Sequence, residues 1–363
     1  VPHRIRPAAL AALVPLLGLV GCGDEELPAT DQDTRDVVAV DTAAPADTGP
    51  ATDTATPSDT AVTGGDVAPD ALDADTLPIV HLPDADVLAG DADTDDADGA
   101  PNLAPLGGER PAPVYLPETY DPAVPTPLVI LLHGYTATGP VQDLYLGFHQ
   151  RATAAGMIAV VPTGTVDGFG SHFWNADPAW CCNFGDSGVD DESYLLGLVS
   201  ESRSRFNVDA GRVYFLGHSN GGFMAYRMAC AHADVVAGIV SIAGALPKDI
   251  GDCDPSRPVT VVEAHGTLDA VISYYGTSGY PGAEATIDRW VGYDGCDPVP
   301  VESGGFDYDS AALGDETDKL VWGDCEGGVL VGRWTMKGSS HVPLFTEAFL
   351  RDAFAFLLSH RRD

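Results

Sequence analysis

The sequence predicts a doubly wound α/β domain with a mostly parallel sheet, standing behind about a hundred residues that build no core. Three observations carry this expectation. Near-continuous apolar runs ending in Gly or Ser recur from Pro127 onward, helix-like segments alternate with them, and all 29 Phe, Trp and Tyr residues lie at or beyond Tyr115. Runs that are apolar along their whole length suit strands covered on both faces, which is the pattern of a parallel sheet. Strand and helix alternating over some 260 residues then imply the doubly wound arrangement, whose functional residues gather at the carboxyl ends of the strands.

In chain order, residues 1–22 come first. Arg4 and Arg6 precede an apolar run from Ala8 to Val20 that is shorter than a membrane span, and Leu19-Val20-Gly21-Cys22 closes it. A basic start, a short apolar stretch and small residues before a cut site describe an export signal. The closing tetrapeptide resembles a bacterial lipobox, so residues 1–22 are expected to be a lipoprotein signal peptide with Cys22 as the lipidated residue. Residues 23–102 follow, rich in Asp, Thr, Ala and Pro and without one Lys or aromatic ring. Self-repelling carboxylates and frequent Pro favour a disordered, solvated acidic linker. Within it DADTDDADG (Asp91 to Gly99) loosely imitates a calcium loop, but Asp96 stands where the sharp turn needs Gly. The spacer reading is therefore preferred.

Residues 103–363 form the folded domain. PLVILLHG (Pro127–Gly134), MIAVVPTG (Met157–Gly164), RVYFLGHS (Arg212–Ser219), VAGIVSIAG (Val236–Gly244) and PVTVVEAHG (Pro258–Gly266) read as strands, as does GGVLVGRWTM before Lys337. Asp143 to Ala155, Asp190 to Phe206, Asn220 to His232 and Thr346 to His360 read as helices, with Asp190 and Asp191 expected to cap the second. Six cysteines remain beside Cys22, an even number in an exported chain, and their spacings match no zinc site. Of fifteen connectivities, Cys230 with Cys253 and Cys296 with Cys325 each close a modest loop, which would leave Cys181 and Cys182 as a vicinal pair.

Gly217-His218-Ser219-Asn220-Gly221 carries the G-x-S-x-G pattern between an apolar strand and the amphipathic run GGFMAYRMAC. The glycines allow a turn so tight that it exposes the serine oxygen, which makes Ser219 a candidate nucleophile. A serine hydroxyl needs a base, and the base needs a carboxylate to hold its tautomer. His341 is chosen by elimination, from a small-residue loop between the last strand and the closing helix. Asp269, in the turn after the fifth strand, is the preferred acid, with Asp294 or Asp318 as alternatives. Donors for a developing oxyanion are expected from the backbone N–H groups of Asn220 and Tyr135. His133 and His265 each precede a Gly at a strand end and are read as structural, while His218 is read as shaping the turn. Trp174 and Trp180 are read as either an aromatic wall for substrate or packing within their loop. Neither a metal nor an organic cofactor is expected.

With these residues in place, LLHGYTATG, FWNADPAWCC, VDDESYL, GHSNGGFMAYRMAC, HGTLDAVISYYG and RWVGYDGC resemble the extracellular polyhydroxybutyrate depolymerase and feruloyl esterase group of α/β-hydrolases. The resemblance spans roughly residues 113 to 296. It implies the α/β-hydrolase fold and ester hydrolysis through an acyl-enzyme, with Ser, Asp and His landing on Ser219, Asp269 and His341. Around His341 the sequence departs from the group: GSSHVPLF keeps the His and the Pro but lacks the Trp that more often follows. That departure bears on the acyl or leaving-group pocket more than on the chemistry. The expected protein is an exported serine esterase, anchored by lipid in a bacterial envelope or released from it, acting as a monomer on a neutral polyester, an acylated polysaccharide or a small ester. The alternatives are a serine peptidase on the same fold and a surface protein that binds without catalysis.

Charge narrows the partners. Fifty-four Asp and Glu against 18 Lys and Arg give a formal net charge of −36 and a pI near 4.2. Such a surface has no means of displacing counterions from a phosphate backbone, which excludes nucleic acid. Residues 23–100 hold −20 of the excess and residues 101–363 hold −18. The second share belongs to the domain itself and should repel polyanions such as pectin.

Overall fold

A computed structural model describes residues 103–362, apart from 177–181 and 185–186. The expectations for Cys22, Trp180, Cys181, the linker and its DADTDDADG segment concern residues outside the described ones. Chain order begins with β1 (Val114–Tyr115), β2 (Thr126–Leu132), α1 (Gly139–Leu146), α2 (Phe148–Ala154) and β3 (Ile158–Val160). A two-stranded excursion, β4 (Thr165–Val166) and β5 (His172–Phe173), precedes α3 (Asp191–Arg205), β6 (Val208–His218) and α4 (Asn220–Ala231). Then come β7 (Gly238–Ile242), β8 (Thr260–Gly266), α5 (Ala283–Tyr293), β9 (Val301–Phe306), β10 (Thr317–Trp322), β11 (Val331–Met336) and α6 (Glu347–Leu358).

Nine strands form one sheet in the order β1-β3-β2-β6-β7-β8-β11-β10-β9. The six central strands from β3 to β11 are mutually parallel; β1 at one edge and β10 at the other run against them, and β9, antiparallel to β10, closes that edge. The apolar runs explain this placement. All seven residues of β2 are buried; Leu128, Ile130 and Leu132 enter the core on one face, and Val129 and Leu131 the core on the other. The first core is closed by α3, α4 and α5 through Leu195, Phe223, Met224, Ile287 and Trp290. The second is closed by α2 and α6 through Phe148, Ala152, Phe349, Phe354 and Leu357. Each fully buried large side chain contributes about 1.5–3 kcal/mol relative to exposure, so a strand apolar on both faces can rest only between two helical layers.

The structure redraws some elements. The single helix expected over 143–155 is two short ones, because Gly147 between them is left-handed at φ 59°. Helix α5 and strands β9 and β10 were not foreseen. Every residue of β9 is at least partly exposed, so it carries no two-faced apolar signal. Asp190 does cap α3, accepting from Ser193 N at 2.9 Å. Asp191 does not: it is buried and takes Arg110 Nη1 and Asn175 N, each at 2.8 Å. Disulfides join Cys230 to Cys253 and Cys296 to Cys325, as expected from spacing. Among the described residues no helix is long and apolar enough to cross a membrane, and no group of His, Cys, Asp or Glu could hold a metal ion.

Asp294, one alternative for the catalytic acid, sits after α5 at the amino end of β8, where Oδ1 accepts from Val259 N at 3.2 Å. The other oxygen is buried without a partner. Burial, with Glu326 nearby, pushes this carboxyl up to about 8. A carboxyl that ionises only above neutrality in the folded chain, but near 4 when unfolded, holds its proton more tightly in the native state. It therefore costs stability increasingly as pH climbs from about 4 to about 8. Asp294→Asn is expected to raise thermal stability relative to the natural chain by ~1 kcal/mol or more at pH 8 and by little at pH 4. Unfolding curves at the two pH values check this, and a difference that does not grow with pH refutes it.

Candidate active site

The site is built at the carboxyl ends of β2, β6, β8 and β11. β6 passes into α4 through Ser219, which is not glycine yet has φ 55° and ψ −121°. A residue held there stores roughly 1–3 kcal/mol of strain. The flanking glycines make the turn possible. A Cβ on Gly217 would lie 2.0 Å from the Gly221 carbonyl oxygen, and one on Gly221 would lie 2.1 Å from that of Leu132. Ser219 N donates to the Ile242 carbonyl at 2.7 Å, and the Ser219 carbonyl accepts from Gly222 N and Phe223 N at 2.7 and 3.1 Å. The strained residue is thus tied to β7 on one side and to the first turn of α4 on the other.

β8 and β11 lie side by side in parallel, with Gly266 opposite Met336 at their carboxyl ends. The loops that follow are stitched together: Thr267 N donates to Met336 O at 2.9 Å and Leu268 N to Ser339 O at 3.0 Å. This brings Asp269 and His341 within reach, and His341 Nδ1 lies 2.7 Å from Asp269 Oδ2. The other carboxylate oxygen takes Val271 N and Ile272 N, both at 2.8 Å. Burial alone would raise the Asp269 pKa, but hydrogen bonds from His265 and His341 outweigh it and hold the group well below the usual carboxylate range. An ionised carboxylate only accepts, so His341 carries its proton on Nδ1 and presents Nε2 as an acceptor. Asp318, the remaining alternative acid, pairs with Lys337 instead.

His218 bridges this pair and Ser219. Its Nε2–H donates to the His341 carbonyl at 2.8 Å, and the two rings pack with centroids 5.0 Å apart. Burial pushes its pKa down to about 3, so the ring is neutral. Tyr145 of α1 adds a second tie, its hydroxyl donating to Pro343 O at 2.5 Å. Among the described residues the Ser219 hydroxyl makes no hydrogen bond to His341; a contact between a nucleophile and its base is often long without a bound ligand and tightens in the complex.

The loop after β2 is pinned on both sides of Tyr135. Gly134 N donates to Gln142 Oε1 at 3.2 Å and Thr136 N to His172 O at 2.9 Å. The N–H of Tyr135 donates to no group among the described residues. Asn220 opens α4, and its side chain is clamped by the backbone of Trp174: Oδ1 accepts from Trp174 N at 2.7 Å, and Nδ2 donates to Trp174 O at 2.9 Å. Trp174 is fully buried and its indole N–H is taken by His133 O at 3.1 Å. It has no face left for substrate, so the aromatic-wall reading of Trp174 is corrected to the packing one. Its neighbour Asn175 is held by Asp191, so the clamp extends to the start of α3.

His133 is structural, as its place before a Gly suggested. Nδ1–H donates to Gly134 O at 2.7 Å and Nε2 accepts from Gly164 N at 2.8 Å, a pattern only the neutral ring satisfies. Burial agrees, lowering its pKa to about 4. His265 stands differently, as it touches both Glu263 and Asp269.

The family model described as "Putative esterase" matches residues 104–302. The chain belongs to this esterase family. The matched stretch contains Ser219 and Asp269 and stops short of His341. Feruloyl esterase B of Piromyces equi is 31% identical over 180 residues, 46% of this chain and 31% of that protein. The poly(3-hydroxybutyrate) depolymerase of Ralstonia pickettii is 34% identical over 131 residues, 33% of this chain and 25% of that protein. The chain spans less than half the length of several curated relatives it matches. Among solved structures, the acetyl xylan esterase from Aspergillus awamori superposes with a TM-score of 0.52 at 16% identity, over 68% of this chain and 94% of that one. The chain therefore has the α/β-hydrolase fold, and its sequence is similar to feruloyl esterases and to a poly(3-hydroxybutyrate) depolymerase.

The Trp174 clamp generates a prediction. Asn220→Ala leaves the buried Trp174 N–H without its acceptor, while the Trp174 carbonyl keeps only Ala176 N at 2.9 Å, and is expected to lose about 1–3 kcal/mol of stability. Denaturant unfolding measures it, and a loss within error of zero would show that the clamp holds nothing.

Proposed function

We propose that the protein is an exported serine carboxylic-ester hydrolase. Ser219 is the nucleophile, His341 the base, Asp269 the acid, and the N–H groups of Tyr135 and Asn220 the oxyanion donors. The observation that carries this reading is the 2.7 Å bond from His341 Nδ1 to an ionised, four-times-bonded Asp269, in a loop that His218 ties to the turn bearing Ser219. In the forward step Ser219 Oγ attacks the ester carbonyl carbon while its proton passes to His341 Nε2. The carbonyl oxygen becomes an oxyanion facing the two N–H donors. Collapse breaks the bond to the alkoxy oxygen, which leaves as an alcohol with the proton from His341. Water then gives a proton to His341 and its oxygen to the acyl carbon; the acid departs, and the proton returns to Ser219.

Substrate class follows from what frames the site. Leu268 and Val271 flank Asp269 and Leu344 follows His341, and all three expose apolar surface. An apolar frame on an acidic domain suits a neutral polyester, or a feruloylated or acylated polysaccharide or small ester, better than a charged chain. We assign the protein to the bacterial envelope as a monomer held by a lipid on Cys22, with residues 23–102 as a spacer.

Ser219→Ala is expected to lower kcat/KM on short p-nitrophenyl esters by ~10⁴-fold or more and to abolish labelling by a fluorophosphonate. Retained turnover in that variant would sink the mechanism. A panel of hydroxybutyrate oligomers, methyl ferulate and acetylated xylan then ranks the esters. For the anchor, the full chain expressed in a bacterium should partition with membranes, and Cys22→Ser should move it to the soluble fraction; an unchanged distribution rules the lipid out.

A further inference from the structure

Glu263 and His265 are two residues apart on β8, so their side chains leave the strand on the same face. Both are buried, at 0% and 2% exposure. His265 Nδ1 lies 3.1 Å from Glu263 Oε1, and Nε2 lies 2.9 Å from the Ile272 carbonyl oxygen and 3.2 Å from Asp269 Oδ2. The Ile272 carbonyl and the ionised Asp269 only accept; burial raises the Glu263 pKa, while its bonds with His265 and Tyr226 oppose that rise and favour the carboxylate that accepts from Nδ1. A neutral imidazole has one donor and would turn a lone pair toward one of them, whereas the imidazolium donates at both nitrogens. The far end of the chain is closed as well: Glu263 Oε2 accepts from the Tyr226 hydroxyl at 3.0 Å, and Tyr274 meets the His265 ring edge-on at 5.6 Å. Burial opposes a charge on His265, but hydrogen bonds to Asp269 and Glu263 more than offset it and raise the pKa to about 9. Asp269 Oδ2, which receives His265, is the oxygen that also receives His341.

We infer that His265 is a positioning residue: an imidazolium clamped between Glu263 and Asp269, it fixes the Asp269 carboxylate and offsets part of the negative charge that this carboxylate presents to His341. This rests on the proposed roles of Ser219, Asp269 and His341. The relay reads carboxylate, imidazolium, carboxylate. It carries one net negative charge while His341 is neutral and none once His341 holds the serine proton. The groups facing His265 are Glu263 on its own strand, Asp269 and Tyr274 in the following loop, Tyr226 from α4, and His218 and His341 across the site. Beside Tyr274, Arg333 of β11 and Glu284 of α5 pair at 3.3 Å and add no net charge. Tyr226 is pushed well above its usual range by burial beside Glu263 and stays neutral. The expected switch is therefore the loss of the His265 proton, which at high pH leaves two buried carboxylates with no cation between them. The pKa is raised on folding, so the stabilisation is full below about 6.5 and disappears as pH rises through about 9.

The test is a pH profile of kcat and kcat/KM on a p-nitrophenyl ester for the natural chain, His265→Gln and Glu263→Gln. His265→Gln keeps a donor near Asp269 but removes the charge. It is expected to lower kcat by about tenfold or more at little change in KM, to shift the acid limb of kcat/KM upward by about one pH unit, and to erase the decline near pH 9. Glu263→Gln leaves Asp269 untouched and should move that alkaline decline to lower pH by about one unit or more. A merely structural His265 would lower thermal stability and leave both limbs where they are, which overturns the inference. If either variant fails to fold, ¹⁵N spectra of the natural chain decide: both His265 ring nitrogens protonated at pH 8 support it, and a neutral ring at pH 7 refutes it. Ser219→Ala and Asp269→Asn run in the same assay keep the two levels apart. If those retain turnover, the catalytic reading fails; if they lose it while His265→Gln keeps the natural profile, only the role of His265 fails.

Discussion

The left-handed backbone of Ser219 is the constraint on which the rest of the site depends. A non-glycine residue at φ 55° persists only when its surroundings leave it no alternative. Those surroundings are β6, whose last six residues are buried, and α4, which has ten of its twelve residues buried and so cannot swing away. Gly221 lets α4 approach the end of β2 until only a hydrogen fits between them. That contact sets the distance between the turn carrying Ser219 and the loop carrying Tyr135. A hydroxyl and a backbone N–H from segments 84 residues apart are thereby set near each other by steric exclusion, and the side chains of Gln142 and Asn220 only steady the two segments.

Buried histidines do the remaining alignment, and they divide by what their nitrogens face. His133 and His218 each meet a pattern that a neutral ring satisfies, and burial keeps them neutral at pKa values of about 4 and 3. His133 ties the end of β2 to the segment before β4, and His218 ties the Ser219 turn to the His341 loop. His265 faces only acceptors, two of them carboxylates, and is the ring whose charge the fold sustains. The difference arises from sequence spacing: Glu263 is on the same strand face two residues before it and Asp269 in the turn four residues after it.

Much of this was legible in the sequence because strong local signals coincide with the candidate site. The runs at β2, β6, β7 and β8 are apolar on both faces and announce buried parallel strands, and G-x-S-x-G marks a turn whose sterics are local. Asp269 and His341 could be named because each lies in a short loop just after a strand. What stayed hidden depends on tertiary neighbours. Strands β9 and β10 have mixed exposure and no clean period, and α5 follows a loop with no capping side chain. Trp174 invited a substrate role by its chemistry, yet the burial that makes it a clamp comes from Asn220, 46 residues later. Asp191 looked like a cap beside Asp190 until Arg110, 81 residues earlier, claimed it. Nothing in HGTLD says that its first residue is charged, since that follows from Glu263 and Asp269 closing on it from two sides.

The bond from Tyr145 to the Pro343 carbonyl has a mechanical meaning. Tyr145 belongs to α1, the helix that leaves the loop of Tyr135, and Pro343 lies two residues beyond His341. The loop after β2 and the loop that carries His341 are therefore fastened to one strut, and neither can hinge outward without dragging the other.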